Sequence, residues 1–503
     1  MTHYKDLRSY LEALAGIGEV QSIVQAVSLD LEIGAISRRA GETGEAAPLF
    51  ETIEGMPEMR VLGAPGGISN KPGHYLARIA LALGLEPDSS GREIIEALVA
   101  ARSRPLIPPR RVATGPCKEV IISGNSVDLT KLPAPLLHDG DGGRYMNTFG
   151  VICCETPDKS WRSWSIARIM LVDKTRMSGL IAPFQHIGMV RKTWSDIGKP
   201  MPFALALGVE PFIPYVGGMP LPAYMSEGDY VGAYFGEPVE VVQCETVDLQ
   251  VPATAEIVIE GYVALNESVQ EGPMGEYAGY LWKGSSAKPV YHATAITHRR
   301  NPILPVSVAG EPVEENHTAW GVPNAAEIVF ELRQAGLPIA TAWTPFESAN
   351  HWYVIAATRD WRAKLPGMTG ERFCRKVGEI LFASKAGSGT PKYIMVNDDV
   401  DISNVKEVVW AFATRNRAGP LGEVVFNNEA TQPLVAYLGS DEKMSMKTTK
   451  VVYNALDPEH LNGIMPVRSA FHYAYPKSIQ DKVLRNWHAY GYSAADGTRG
   501  SLT

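Results

Sequence analysis

Cysteine is scarce in this chain, with five thiols (Cys117, Cys153, Cys154, Cys244 and Cys374) among 503 residues. The number is odd and no two form a Cys-x-x-Cys pair, which argues against a disulfide framework and a thiolate zinc site. Cys153 and Cys154 are adjacent, so on a strand they point to opposite faces. Reduced thiols fit a cytoplasmic protein. Long apolar runs are missing too: stretches such as residues 202–209 fall far short of the roughly 20 residues that span a bilayer. The start, Met1-Thr-His-Tyr-Lys-Asp-Leu-Arg, carries charge and has no signal-peptide core. Nor is there a surplus of positive charge. Lys and Arg number 47 against 55 Asp and Glu, a net charge of −8, whereas a nucleic-acid surface needs the opposite balance. There is no run of five like charges, no internal repeat and no low-complexity segment. The expectation is a cytoplasmic chain with no nucleic-acid or membrane partner.

What the chain does contain is the composition of a folded protein, 45% hydrophobic and 20% charged. Its length suits two or three domains. Residues 4–15 carry Leu7, Tyr10, Leu11 and Leu14 at helical spacing, with Gly16 as a stop. A second helix is predicted over residues 94–101. The prolines of Ser103-Arg-Pro-Leu-Ile-Pro-Pro-Arg-Arg then end an N-terminal α/β domain. From residue 120 to about 303, short β-branched or aromatic runs, several alternating with period two, predict an antiparallel sheet or barrel. One helix interrupts it, around residues 187–198. Further on, residues 324–336 read as a helix with Asn324 as cap and Gly336 as terminator. Helices over 370–384 and 404–413 flank a buried strand at Tyr393-Ile-Met-Val, a second α/β unit. Pro476 opens a last amphipathic helix carrying Ile479, Val483 and Trp487. The small, polar tail from Ala494 suits a mobile or partner-bound end.

The densest cluster of chemistry-bearing residues is Glu271-Gly-Pro-Met-Gly-Glu276. It follows a strand predicted over 257–265, and Gly272, Pro273 and Gly275 exclude a regular helix, so it reads as a tight loop. Two carboxylates held in distinct environments can keep one ionised and one protonated. The alternative is a surface turn with two solvated acids. A second cluster, Ser163-Trp-Ser-Ile-Ala-Arg168, stands at the start of a strand leading to Leu171. Its N–H groups and hydroxyls suit a phosphate. Arg168 suits a substrate carboxylate or Glu271, or equally a structural ion pair. Gln185-His186, and Met219-Pro-Leu-Pro with Ser226-Glu227, bring one imidazole and one carboxylate that would suit Mn²⁺ beside an oxygen donor. Isolated His and Glu residues are more often hydrogen-bonded structure. Lys385, at a helix end before glycines, suits either the helix dipole or an anion. Glu315 and His317 lack a third partner at ligand spacing, so no metal is assigned there. Asn316 and Trp320 read as pocket walls.

Taken in order, Trp164-Ser-Ile-Ala-Arg168, Gln185-His186, Ser226-Glu227, Glu271-Gly-Pro-Met-Gly-Glu276 and Lys385-Ala-Gly resemble the UbiD family of reversible decarboxylases. Within that family they look like the branch of ferulic acid and pyrrole-2-carboxylate decarboxylases. Leu31-Glu-Ile-Gly34, Met146-Asn-Thr-Phe-Gly150, Asn397-Asp-Asp-Val-Asp401, Val409-Trp-Ala-Phe-Ala-Thr-Arg415 and Asn486-Trp-His-Ala-Tyr-Gly-Tyr492 extend the resemblance over nearly the whole chain. It implies an N-terminal α/β domain (1–115) and a central split β-barrel that binds flavin (116–310). A linker helix (311–340) and a C-terminal α/β domain (341–503) that makes a homodimer follow. The implied cofactor is prenylated FMN, made by a flavin prenyltransferase and held at its phosphate through Mn²⁺ and K⁺. His186 and Glu227 fall on metal ligands. Ser163 stands where the family has an asparagine; its hydroxyl has a shorter reach, which leaves room for a water or a shifted cation. Trp164, Gly217, Gly218 and Met219 fall where backbone carbonyls hold K⁺. Ser165, Ile166, Ala167, Arg168, Gln185 and Lys385 match flavin contacts. Ile187, Met274, Asn316, Trp320, Gln432 and Leu434 match the substrate pocket, and Arg168, Glu271 and Glu276 the catalytic network.

The implied reaction is reversible, non-oxidative loss of CO2 from an aromatic, heteroaromatic or α,β-unsaturated acid through a covalent adduct with the cofactor. Losing CO2 from an sp² carbon leaves an in-plane carbanion that no π system delocalises, and a covalent electron sink removes that barrier. Arg168 would orient the carboxylate and Glu271 would hold Arg168. Glu276, with a pKa raised by burial, would protonate the carbon. Asn316 and Trp320 favour a pyrrole-, indole- or furan-type acid over a cinnamic or ferulic one. The competing class is a plain FMN oxidoreductase on a flavin-reductase-like barrel, which leaves Arg168, Glu271 and Glu276 without a role.

Overall fold

The β-rich run after Val120 forms one curled sheet of nine strands in the computed structural model, which describes residues 1–461 and 466–492. Across it lie Tyr145–Asn147, Ile169–Leu171, Arg176–Gly179, Ser286–His298, Ile257–Glu271, Met201–Leu207, Gly150–Glu155 and Arg162–Ser165, and Val120–Ser123 also pairs with Ser286–His298. These pairings are antiparallel throughout, as the period-two patterning predicts. The middle of the sheet is buried on both faces. Ile152, Phe203, Leu205 and Ile259 pack on one side. Val151, Cys153, Ala204 and Val258 point to the other, where helices cover them. Ile257–Glu271 carries a bulge at Glu260 and Gly261. A Cβ on Gly261 would stand 1.8 Å from the His292 carbonyl oxygen, so only glycine fits.

Three helices are inserted in this region rather than the one expected: His186–Asp196, Phe212–Gly218 and Glu227–Phe235. The last two hold Pro214, Gly217, Gly228 and Gly232, which weaken any helical signal in sequence. The glycines are there for close packing. A Cβ on Gly228 would lie 2.9 Å from the Trp164 ring, and one on Gly232 2.3 Å from the Ile107 carbonyl oxygen.

Before this sheet, helix Leu7–Gly16, capped by the Asp6 side chain, and helix Glu32–Thr43 pack on a four-stranded sheet, while helix Gly91–Arg102 packs against helix Glu227–Phe235 and the later helix Gly321–Gln334. That sheet's last member, Ile303–Val306, returns from the far end of the central region to pair in parallel with Arg60–Gly63. After it come helix Gly321–Gln334 and a five-stranded mixed sheet ordered Ile339–Trp343, Trp352–Ala357, Lys392–Asn397, Lys447–Asn454 and Glu423–Ala430. The chain is therefore a mixed α/β protein with a half-barrel at its centre. Three expectations need correction. Asn324 is buried inside its helix, which one π-turn, Asn316–Trp320, precedes; Gly336 does terminate it, at φ +76°. Helix Lys477–Arg485 stops before Trp487. Lys385 does not end a helix but opens the short helix Lys385–Ser388. The tail from Ala494 lies outside the described residues. All five cysteines are free and buried, and among the described residues no helix is long and apolar enough to cross a membrane.

Candidate active site

Two strands, not one, carry the segment of residues 163–168. Arg162–Ser165 pairs with Gly150–Glu155 and stops, the chain turns through Ile166 and Ala167, and Ile169–Leu171 joins a different part of the sheet. Asn147 fixes the crossing, its side-chain amide donating to the Ala167 carbonyl at 2.7 Å. Arg168 thus leaves the sheet from an irregular stretch, free to reach inward.

It meets both carboxylates of the Glu271-Gly-Pro-Met-Gly-Glu276 motif. The strand expected to stop near residue 265 runs on to Glu271, so Glu271 is not a loop residue, and its side chain is wholly buried. Arg168 Nε donates to Glu271 Oε1 at 3.0 Å and Nη2 to Oε2 at 3.2 Å, a two-point fork. Nη1 bonds Glu276 Oε1. The solvated-turn alternative therefore fails. Gly272, at φ +83°, makes the bend between the two acids. Residues from an earlier segment brace that bend: Gly142 N–H donates to the Pro273 carbonyl at 2.7 Å, and Gly275 N–H to Asp141 Oδ1 at 3.1 Å. Tyr145 completes the group, donating from its hydroxyl to Glu271 Oε1 at 2.8 Å. Burial, and then the Glu271 charge, raise the Tyr145 phenol above its ordinary pKa and keep it a donor. Sequence reasoning missed Tyr145, although it directly precedes the Met146-Asn-Thr-Phe-Gly motif.

The start of the same segment belongs to a second group. Trp164 N–H donates to Glu227 Oε2 at 2.8 Å, and Ser163 Oγ lies 2.9 Å from Ser165 Oγ and 3.5 Å from Glu227 Oε1. His186 Nδ1 is 2.6 Å from Glu227 Oε1, and its Nε2 is 3.0 Å from the Leu221 carbonyl oxygen. Lys385 Nζ donates to that same carbonyl at 2.9 Å. Burial pushes the Lys385 ammonium down to about 8, against the pull of Glu227 and Glu327. The Leu221 carbonyl, which no motif pointed to, thus joins the central region to the C-terminal one. Gly217 and Gly218 pass close by: a Cβ on Gly217 would lie 3.1 Å from the Trp164 carbonyl oxygen, and one on Gly218 3.7 Å from Ile166. Met219 is buried, and Gln185 occupies the N-cap position of helix His186–Asp196.

The residues expected to wall a pocket are divided. Trp320 meets the Tyr277 ring edge-on at 5.3 Å, and Gln432 Nε2 donates to the Tyr277 hydroxyl at 3.0 Å. Leu434 is half-buried two residues beyond. Met274 packs with Leu137, Tyr145, Met170 and Val308 behind the Arg168 group. Ile187 is fully buried in the core beneath the second group, with its N–H on Ser165 Oγ at 3.2 Å. Tyr277 was not singled out in sequence, yet it links Trp320 to Gln432 and follows Glu276 directly.

Family profiles match most of the chain. They are the 3-octaprenyl-4-hydroxybenzoate carboxy-lyase N-terminal domain over residues 11–98, its Rift-related domain over 110–312 and its C-terminal domain over 317–455. The pyrrole-2-carboxylic acid decarboxylase of Pseudomonas aeruginosa is 42% identical, covering 97% of this chain and 99% of that protein. Ferulic acid decarboxylase 1 of Saccharomyces cerevisiae is 38% identical, covering 97% and 98%. Among solved structures, the UbiD-class enzyme HmfF of Pelotomaculum thermopropionicum in complex with FMN superposes with a TM-score of 0.77 at 28% identity, covering 92% of this chain and 97% of that one. An evolved dimeric form of HmfF in complex with prFMN gives 0.75 at 28%, covering 90% and 95%. With the three domains matched in order and two relatives alike from end to end, this chain belongs to the UbiD carboxy-lyase family.

Proposed function

We propose that this chain decarboxylates a planar heteroaromatic acid of the pyrrole-2-carboxylate type, with prenylated FMN as cofactor. The observation that carries the reading is the Arg168 fork between a buried Glu271 and a separate Glu276. Glu271 takes two nitrogens and holds the guanidinium plane still, with Tyr145 fixing the carboxylate in turn. Glu276 takes only one. A substrate carboxylate approaching Arg168 competes with Glu276 for the Nη1 edge, the side not tied down. Once displaced from its cationic partner, Glu276 would take a proton from solvent and deliver it to the carbon that CO2 leaves. When bound, prenylated FMN supplies the electron sink that such a carbon requires.

The second group fits the phosphate end of a flavin and its cations. Both ring nitrogens of His186 face oxygen acceptors, Glu227 and the Leu221 carbonyl. His186 and Glu227 stand side by side, and to hold Mn²⁺ the imidazole would give up one of these contacts and turn that nitrogen to the cation beside the Glu227 carboxylate. Among the described residues no three His, Cys, Asp or Glu side chains converge, so further ligands are oxygens of Ser163, water or phosphate. The Trp164 carbonyl, kept clear by Gly217, suits K⁺. Lys385 adds positive charge from the C-terminal side. The same reading includes a flavin prenyltransferase as cofactor supplier, a cytoplasmic setting and a homodimer. The likeness to the pyrrole-2-carboxylic acid decarboxylase of Pseudomonas aeruginosa supports the heteroaromatic choice, and the dimeric prFMN form of HmfF supports the cofactor and the assembly.

Protein produced alongside a flavin prenyltransferase should release CO2 from pyrrole-2-carboxylate faster than from cinnamate. Protein loaded with ordinary FMN should release none, and turnover there would favour a plain flavin enzyme instead. Glu276→Gln should keep its flavin absorbance and lose turnover by about 10²- to 10⁴-fold; wild-type-like rates would remove Glu276 from proton delivery. Tyr145→Phe deletes one hydrogen bond to Glu271, so kcat/KM should fall about tenfold at unchanged flavin content, read by steady-state kinetics. Glu227→Ala should instead co-purify with less flavin and less Mn²⁺, measured by absorbance and elemental analysis. Full retention of both would place the cation elsewhere.

A further inference from the structure

The short helix Lys385–Ser388 carries or adjoins both contacts that cross the cleft from the C-terminal region. From its first residue, Lys385 Nζ donates to the Leu221 carbonyl at 2.9 Å, and His186 Nε2 lies 3.0 Å from the same oxygen. Just past its last residue, the Gly389 carbonyl accepts from Gln432 Nε2 at 3.3 Å, and that amide also donates to the Tyr277 hydroxyl at 3.0 Å. Four residues make a single turn, and a single turn has too few hydrogen bonds to hold its own shape. Its start is fixed locally, with Ser384 Oγ accepting from the Gly387 N–H at 3.2 Å. Gly387 also packs tightly on the preceding helix, where a Cβ would stand 2.0 Å from the Leu381 carbonyl oxygen.

The end of the turn is fixed by a residue more than 60 positions away. Lys450, on strand Lys447–Asn454, is 1% exposed. Its ammonium donates to the Gly387 carbonyl at 3.1 Å and to the Ser388 carbonyl at 2.7 Å. It also lies 5.0 Å from the centre of the Phe382 ring. A buried ammonium is costly unless it is hydrogen-bonded, and burial pushes this one down to about 7 against the pull of Glu429. What meets it is the negative end of the turn, where a helix leaves its carbonyls open. Without Lys450 that end loses its anchor, and the Lys385 side chain loses the fixed base from which it reaches Leu221.

We propose that Lys450 is a positioning residue for cofactor retention, which holds the turn Lys385–Ser388 so that the Lys385 ammonium stands beside the His186 and Glu227 group. The proposal rests on the reading of that group as the phosphate end of a flavin. An ammonium already in place when a phosphate arrives binds it better than one that must first be ordered, because the ordering opposes binding. Lys450 acts through Lys385 and not by a contact of its own, since its donors are taken up by the two carbonyls.

The test is a double-mutant cycle on the full chain. FMN is titrated into flavin-free protein with Mn²⁺ and K⁺ present, and binding is read from flavin fluorescence. Lys385→Met removes the charge and should raise the Kd for FMN about tenfold. Lys450→Met should raise it by a similar factor while Lys385 is present. In the Lys385→Met background it should add less than about twofold, because residues that act through one another are not additive. Equal factors in the two backgrounds would mark Lys450 as a support of the fold in general and overturn the proposal. Wild-type FMN affinity in Lys450→Met would do the same. Should Lys450→Met not fold, Lys450→Gln enters the same cycle under the same two criteria; its shorter, uncharged side chain loses at least one of the two carbonyls. A Lys385→Met protein that binds FMN as tightly as wild type would instead remove the phosphate-end reading, and the proposal with it.

Discussion

The guanidinium of Arg168 is the point on which the site depends. An arginine inside a protein needs its donors matched to acceptors, and its planar fork accepts only partners in its own plane. Glu271 meets that demand on two nitrogens and Glu276 on a third. The buried Glu271 could not stand alone either, because an unpaired buried charge is strongly destabilising. Each group thus makes the other tolerable, and Tyr145 shares the load on Glu271. The long strand ending at Glu271, the bend at Gly272 and the bracing by Gly142 and Asp141 all serve to bring two carboxylates five residues apart onto one guanidinium.

The same economy governs the wider cleft. The short segment of residues 163–168 begins at the His186 and Glu227 group and ends at the Glu271 and Glu276 group. One stretch of chain therefore serves both the proposed phosphate end and the proposed chemical end of a flavin. The break between its two strands is what allows this, since a continuous strand would carry Arg168 along the sheet. The C-terminal region contributes from across the cleft through Lys385 on the Leu221 carbonyl and Gln432 on the Tyr277 hydroxyl. Glu314 is likewise a buried carboxylate held by its neighbours, with Ser307 and Asn316 donating to one of its oxygens.

Much of this was legible in the chain itself. The antiparallel character of residues 120–303 followed from period-two burial, because alternate side chains of a strand face opposite sides. Helices Gly370–Phe382 and Val405–Arg415 fall within two residues of the spans read from sequence, 370–384 and 404–413, with Asn404 becoming the cap rather than the first helical residue. Helices Phe212–Gly218 and Glu227–Phe235 were not legible, since the glycines that let them approach Trp164 and Ile107 also suppress a helical signal. Tyr145, Tyr277, Glu314 and the Leu221 carbonyl were invisible for another reason. A tyrosine, a glutamate or a backbone oxygen carries no mark of its role until its partner, distant in sequence, is beside it.

By itself, then, the sequence determined the order of α/β, β and α/β regions and the identity of the chemistry-bearing residues, because periodicity and residue type are local properties. It left open whether Glu271 and Glu276 were solvated acids or partners of Arg168, and whether His186 and Glu227 came together. Only the tertiary structure decided those questions. Burial and hydrogen bonding are relations between segments more than 100 residues apart, as between Arg168 and Glu271 or between Tyr145 and Glu271, and nothing in either segment alone specifies them.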